Sequence, residues 1–600
     1  MFRKWLNENK IENFDLSSPI FPKGSDREYW NSLNHDAHIK EAENFLGFDW
    51  PIIKAADYIT YRTTGNRTQQ EIPHFTRRTA LLSLVLGEIC EYKGRFIPDI
   101  VDGLFLICEE TFWGISAHYP NHVNDMLPDA ENCYIDLFVG ETASTVALTY
   151  YLLYDKLNDF CPDILKRIEY EMERRVFKPY LSSRDFGWMG YYNDVNNWNP
   201  WVLSNMMTAF LLMEHSPSRL RRAIKKMIYE IEKIYVAYPE DGGCDEGANY
   251  WAVSGGTLFE FLYMLYIASD KKINFFDDQK IKNIMQYCYH TYIKDGRYVN
   301  FADGTPFIQE QAASLIYLYG KINNDGKLIE LARRIISDSK KIELTHYSWK
   351  SYAKRELFML MYGKELNEKD NLKPLENYIY PNLQIAYLRD GELYCAAKGG
   401  NNYEGHNHND VGSFILYDGS TPVLIDPGCG EYTANTFNHM RYTIWTMQSD
   451  WHNLPKINGY SQHDGSTFHA ESFKLENGTI SVEFKDAYVK ETALDSCKRD
   501  ISFKENALTV EDTFVFSQSA NEVCEHFITV VKPFIQDNKV HIGDYIFTCN
   551  TAADISYDHI DFNGDEKLEH SWNTDKLYRI KFKFVASDDL SVKFEVKKEK

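Results

Sequence analysis

The sequence predicts a multidomain α and β protein, with a large all-α domain over residues 1–372 followed by an all-β domain of sandwich type over 373–600. Three observations carry this. Apolar residues recur at three-four spacing from about residue 30 to about 370, and from there on the period is two. The chain of 600 residues also exceeds what one hydrophobic core holds.

The helical half is clearest in "SRLRRAIKKMIYEIEKIYVAY". There Leu220, Ala223, Ile224, Met227, Ile228, Ile231, Ile234 and Tyr235 share one stripe, and Ser218 is the expected N-cap. "RTALLSLVLGEICEYKG", "TASTVALTYYLLYDKL" and "GGTLFEFLYMLYIAS" read the same way but are apolar on more than one side, which predicts two packed helical layers. No regular repeat marks a solenoid. In the second half, Ile580, Phe582 and Phe584 alternate with Arg579, Lys581 and Lys583, and Val592, Phe594 and Val596 follow the same rule. Turn signals such as "YDGS" and "ENGT" punctuate these runs, as in an antiparallel β-sandwich.

Composition narrows the function. A net charge of −22 argues against general nucleic-acid binding, where a basic surface supplies most of the affinity. No uninterrupted apolar run reaches the length of a membrane span. "MFRKWLNENKIENFDL" has no apolar h-region, so a cytoplasmic location is expected. The eleven cysteines, with no CxxC pair, read as reduced core residues. Oligomeric state is not legible.

Three loops are too polar and too Gly-rich for their surroundings. "YYNDVNNWNPW" carries Asn197 and Trp198. "DGGCDEGANYW" carries Asp241, Asp245, Glu246, Tyr250 and Trp251. "HNHNDVGSFILY", with His406 and His408, precedes Asp426 in "IDPG" and His452 in "SDWHNLP". Taken singly, each is an ordinary turn.

Taken together and in order, they resemble the heparinase II/III-like polysaccharide lyases. "DGGCDEGANYW" is similar to that family's DGG-x-x-EG-x-x-YW loop, and "NNW" to its asparagine loop. "HNHNDVGSFILY", "VLIDPG", "EYT" and "WHNLPKINGYSQ" are similar to its C-terminal signature, while "RRTALLSLVLGEICEYKGRF" and "EETFWGISAH" resemble its N-terminal helices. The resemblance spans roughly residues 70 to 465. It implies an incomplete (α/α) toroid joined to an antiparallel β-sandwich, and β-elimination on uronate-containing oligosaccharides or polysaccharides. Glycosaminoglycans are the first substrate expectation and alginate the second.

That chemistry removes a proton α to a carboxylate, so it needs a group to offset the carboxylate charge, a base and an acid. The resemblance implies Asn197 for the first role, and Tyr250 with His406 for proton transfer. It also implies one structural zinc on His408, Asp426 and His452, and no organic cofactor. Trp198, where some members have histidine, Trp251, Glu246, Arg441, His118 and Arg77 are the expected substrate contacts. Two other readings stay open: a glycoside hydrolase on an α-toroid using Asp241, Asp245 or Glu246, and a non-catalytic glycan-binding protein.

Overall fold

The computed structural model describes every residue except 121–124, 183–184, 193, 341–351 and 600, together with the side chain of Ala434. Asn193 of the asparagine loop therefore lies outside the described residues. The chain forms two compact units. The first comprises Met1–Tyr238, Ala252–Ile281 and Glu310–Asn371; the second comprises Pro239–Trp251, Lys282–Gln309 and Leu372–Lys600.

The first unit is helical. Trp198–Met213 and Gly255–Ala268 are buried almost all round, as their continuous apolar sequences require. Pro217–Ala237 and Gly326–Ser339 are amphipathic and bury a single stripe. In Pro217–Ala237 that stripe is Ala223, Ile224, Met227, Ile228, Ile231 and Ile234. The expected N-cap is corrected here. Pro217 is the first helical residue and Ser216 the cap position, because proline's fixed φ and missing N–H suit the first turn. Ala248–Ala268 is long and apolar enough to cross a membrane by composition alone, but 89% of its 18-residue apolar stretch is buried inside the protein.

The second unit holds the antiparallel sheets. One has five strands in the order Tyr378–Tyr380, Ile385–Asp390, Leu393–Lys398, Phe414–Asp418, Thr421–Leu424; the others have eight, four and two. Their inward faces form a core that includes Leu388, Phe414, Leu416, Val510, Phe527, Phe547, Phe582 and Phe594. The alternation read from the sequence is the observed one: Ile580, Phe582 and Phe584 are buried, and Lys583 between them is exposed. The fold class is thus the predicted one, a helical region followed by a region of antiparallel β-sheets. All eleven cysteines are free thiols.

A buried ion cluster crosses this core. Arg499 donates from Nε and Nη2 to both oxygens of Asp512 (2.7 and 2.8 Å) and from Nη2 to Glu525 (3.1 Å). Its Nη1 donates to the carbonyls of Gly412 and Asn453 (3.0 and 2.7 Å). Asn453 in turn donates to the carbonyls of Phe414 and Ile425 and accepts from the Ile528 N–H, so this cluster joins the strands around His408 and His452.

Candidate active site

The second unit brings together Tyr250, Glu246, His406 and Arg441, and adds two residues to which sequence reasoning gave no role. The DGG loop is fixed first. Asp241 accepts from the Asn382 N–H (2.7 Å), and Asp245 accepts from the Gly405 N–H (3.1 Å). A Cβ at Gly405 would lie 2.9 Å from that Asp245 oxygen, so a side chain here would push the Asp245 carboxylate aside. The next residue, His406, has a φ of +53°, the left-handed region that a non-glycine residue adopts only when its surroundings hold it there.

What holds it is Asp303. This fully buried carboxylate receives His406 Nδ1 at 2.7 Å, Arg441 Nη2 at 2.8 Å, His408 Nε2 at 3.0 Å and the Tyr432 hydroxyl at 3.1 Å. Burial alone would raise its pKa, but the two imidazoles outweigh that and hold it well below the usual carboxylate range. The Tyr432 hydroxyl also hydrogen-bonds the Tyr250 hydroxyl. The ring of Tyr250 stacks on that of His406 at 4.8 Å between centroids, and His406 Nε2 lies 3.6 Å from Glu246 Oε1.

These contacts set the protonation states. Burial, and then the negative charge of Asp303, push the Tyr250 phenol well above its usual pKa, so it carries its proton at neutral pH. The Tyr432 phenol is raised by burial and then by its neighbours Tyr250 and Asp303. For His406, burial would lower the pKa, but the Asp303 hydrogen bond and the Glu246 charge outweigh it and the net shift is upward. A protonated phenol stacked on an imidazole of raised pKa is an arrangement that can pass a proton.

His408, Asp426 and His452 are all fully buried, with one ligand atom from each lying within 4.8 Å of the others. Among the described residues they are the one such group. Their hydrogen bonds fit a metal. His408 binds Asp303 through Nε2, while its Nδ1 is buried without a hydrogen-bond partner. His452 Nε2 meets the Thr446 carbonyl at 3.1 Å, leaving Nδ1 beside Asp426 Oδ2 at 3.0 Å. In metal sites the outer nitrogen of each histidine likewise donates to a carboxylate or carbonyl, and the inner one faces the ion. Burial also lowers the His408 pKa, which favours the neutral, ligating form.

The loop is braced from behind by the buried Lys398, whose Nζ meets Asp410 at 2.6 Å and Glu404 at 3.3 Å. Burial, only partly offset by Lys398, pushes the Glu404 carboxyl up to about 7 from its ordinary 4.5. A raised carboxyl pKa means that the folded state holds a proton the unfolded state has lost. Stability therefore falls as pH rises through the window between those two values. Glu404→Gln removes this dependence. Denaturation at pH 5 and pH 8 should show the variant gaining on the wild type by about 1–3 kcal/mol at the higher pH. Parallel pH profiles for the two proteins would contradict this.

Of the remaining expected contacts, Arg441 belongs to the Asp303 cluster, and the others are held by different partners. Trp251 is wholly buried in the second unit and donates its indole N–H to the Ile284 carbonyl (2.7 Å). Arg441 is fixed by Asp303 and by the carbonyls of Asn407 and Thr436. In the first unit, Asn197 occupies the N-cap position of Trp198–Met213 and is buried. The ring of Trp198 lies 4.5 Å from that of His118, which stacks on Phe138 and meets Asp136 at 3.1 Å. Arg77 is buried and shares Glu110 with Arg78.

Residues 384–580 match the family model described as heparinase II/III-like, C-terminal. No curated protein sequence matches the chain. Among solved structures, a heparinase III is similar over 100% of this chain and 89% of its own, with 11% identity and a TM-score of 0.63. A mutant of the heparan sulfate lyase HepC from Pedobacter heparinus is similar over 99% and 87%, with 11% identity and a TM-score of 0.59. The chondroitin AC lyase of Streptomyces coelicolor A3, solved with chondroitin sulphate, is similar over 94% and 82%, with 10% identity and a TM-score of 0.51.

Proposed function

We propose that this protein is a polysaccharide lyase that cleaves uronate-containing glycosaminoglycan chains or fragments by β-elimination, leaving a 4,5-unsaturated uronate end. The observation that carries this reading is the stacked Tyr250–His406 pair anchored on Asp303, with His406 inside the stretch 384–580 that matches the heparinase II/III-like, C-terminal model. A hydrolase needs a pair of free carboxylates, whereas Asp241 and Asp245 are engaged by main-chain N–H groups.

In the proposed reaction His406 Nε2 takes the C5 proton, and the electrons of that bond form the C4=C5 double bond as the C4–O bond breaks. The Tyr250 hydroxyl gives its proton to the departing oxygen. Asn197 offsets the substrate carboxylate, an amide being a donor that adds no competing charge. Trp198, His118 and Arg441 are the proposed sugar contacts.

Incubation with heparan, chondroitin and alginate polymers under ultraviolet detection tests the reading. New absorbance from the conjugated double bond is expected, first with glycosaminoglycans. Cleavage without absorbance would replace the lyase by a hydrolase, and binding without cleavage would make the protein a glycan binder.

The metal we propose for His408, Asp426 and His452 is zinc, which two imidazoles and a carboxylate suit, held as a brace for the loop that carries His406. Elemental analysis should find about one equivalent per chain. His408→Ala should lose it together with thermal stability, and a chelator should cost stability before turnover. Protein prepared without chelator and free of metal would remove the brace but leave the proton-transfer pair.

A further inference from the structure

We infer that Asp303 is a positioning residue that assigns the protons on both histidines of the 406–408 loop, so that one carboxylate sets up the proton-transfer pair and the metal-binding triad together. The argument is one of acceptor capacity. An ionised carboxylate has about four lone-pair sites and no donor. In Asp303, Oδ1 takes His408 Nε2 and Arg441 Nη2, while Oδ2 takes His406 Nδ1 and the Tyr432 hydroxyl. All four sites are used, and every neighbour must arrive as a donor.

Two consequences follow for atoms that Asp303 does not touch. His406 must carry a proton on Nδ1, so Nε2, the nitrogen that faces Glu246, is the one free to exchange a proton. His408 must carry its proton on Nε2, so the buried and unpartnered Nδ1 is the one presented to Asp426 and His452. The hydroxyl chain acquires a direction as well. Tyr432 spends its single hydrogen on Asp303, so Tyr250 donates to Tyr432 at rest. Without the carboxylate, each imidazole is free to take the other tautomer, and the working nitrogens of both sites would be lost at once.

The tautomers can be read directly from protein labelled with ring-¹⁵N histidine, with His406 and His408 assigned by His406→Gln and His408→Gln. In the wild-type protein, neutral His406 should appear as the Nδ1–H form and His408 as the Nε2–H form. Asp303→Asn keeps the shape but offers one acceptor and one donor in place of two acceptors. It should scramble both tautomers, weaken zinc binding about 10- to 100-fold, and lower kcat at least about 100-fold with KM within a few-fold. A residue that merely supports the fold would lower the melting temperature without moving tautomers, zinc affinity or the kcat–KM split.

The inference is overturned if wild-type His406 carries its proton on Nε2, or if Asp303→Asn keeps both tautomers and its zinc. Should that variant not fold, the wild-type spectra decide alone. The kinetic arm rests on the lyase reading, whereas tautomers and zinc are measured without substrate. A protein inactive on every uronate polymer would therefore refute that reading while leaving the assignment of Asp303 standing.

Discussion

Replacing Tyr250 with phenylalanine is expected to lower kcat about 10²–10⁴-fold while leaving the protein folded. The substitution keeps the ring, so the 4.8 Å stacking against His406 and the local packing survive. It removes only the hydroxyl, which at rest meets Tyr432 and whose proton burial and Asp303 hold in place at neutral pH. If that hydroxyl were only a structural hydrogen bond, its loss would cost about 0.5–1.5 kcal/mol, a factor of roughly 2–13. A drop far beyond this identifies a group whose contribution rises in the transition state. His406→Ala should cost a comparable amount, and the double variant little more than the worse single one, because the two act as a unit. The measurement is initial rate by ultraviolet absorbance, with circular dichroism as the folding control. A Tyr250→Phe protein that still makes absorbing product at near wild-type rate would sink the assigned role of Tyr250 and leave the reaction class intact.

How much of this site can be read from the sequence depends on how local each signal is. Tyr250 and His406 stand out because they sit in loops whose glycines and asparagines serve no helix or strand. The triad His408, Asp426 and His452 is legible only through the family resemblance, because its members are not spaced as a compact ligand motif. Asp303 is not legible. It lies in "NFADG", where Asp-Gly reads as a turn, and its meaning comes from four donors between 103 and 138 residues away. Tyr432 stands inside a quoted motif, yet only its proximity to Tyr250 gives it a role. Trp251 marks the opposite limit. Its type suggests a sugar platform, whereas its place is a buried core site with the indole N–H satisfied. The period-two alternation of residues 580–596 transfers directly to the fold because strand side chains alternate whatever their partners are. The grouping of 239–251 and 282–309 with the sheets has no local signature, since it arises from long-range contacts.

Arg499→Ala should destabilise the second unit by about 3–5 kcal/mol, the cost of breaking a buried ion pair by deleting one partner. Burial, and then the neighbouring Asp512, push the Glu525 carboxyl well up from its ordinary range. Alanine would leave the buried Asp512 without its guanidinium partner, and would also strip a donor from the carbonyls of Gly412 and Asn453. Replacing the whole cluster separates these two effects. Arg499→Met combined with Asp512→Leu and Glu525→Leu removes every charge, and such apolar replacements are often neutral or stabilising. It does not restore the donor to the two carbonyls, which flank the strands next to His408 and His452. The triple variant should therefore recover most of the stability seen in denaturant titration of the second unit, yet bind zinc more weakly than the wild type. Full recovery of both would make the cluster a matter of packing alone. An Arg499→Ala protein with the wild-type denaturation midpoint would contradict the predicted cost outright.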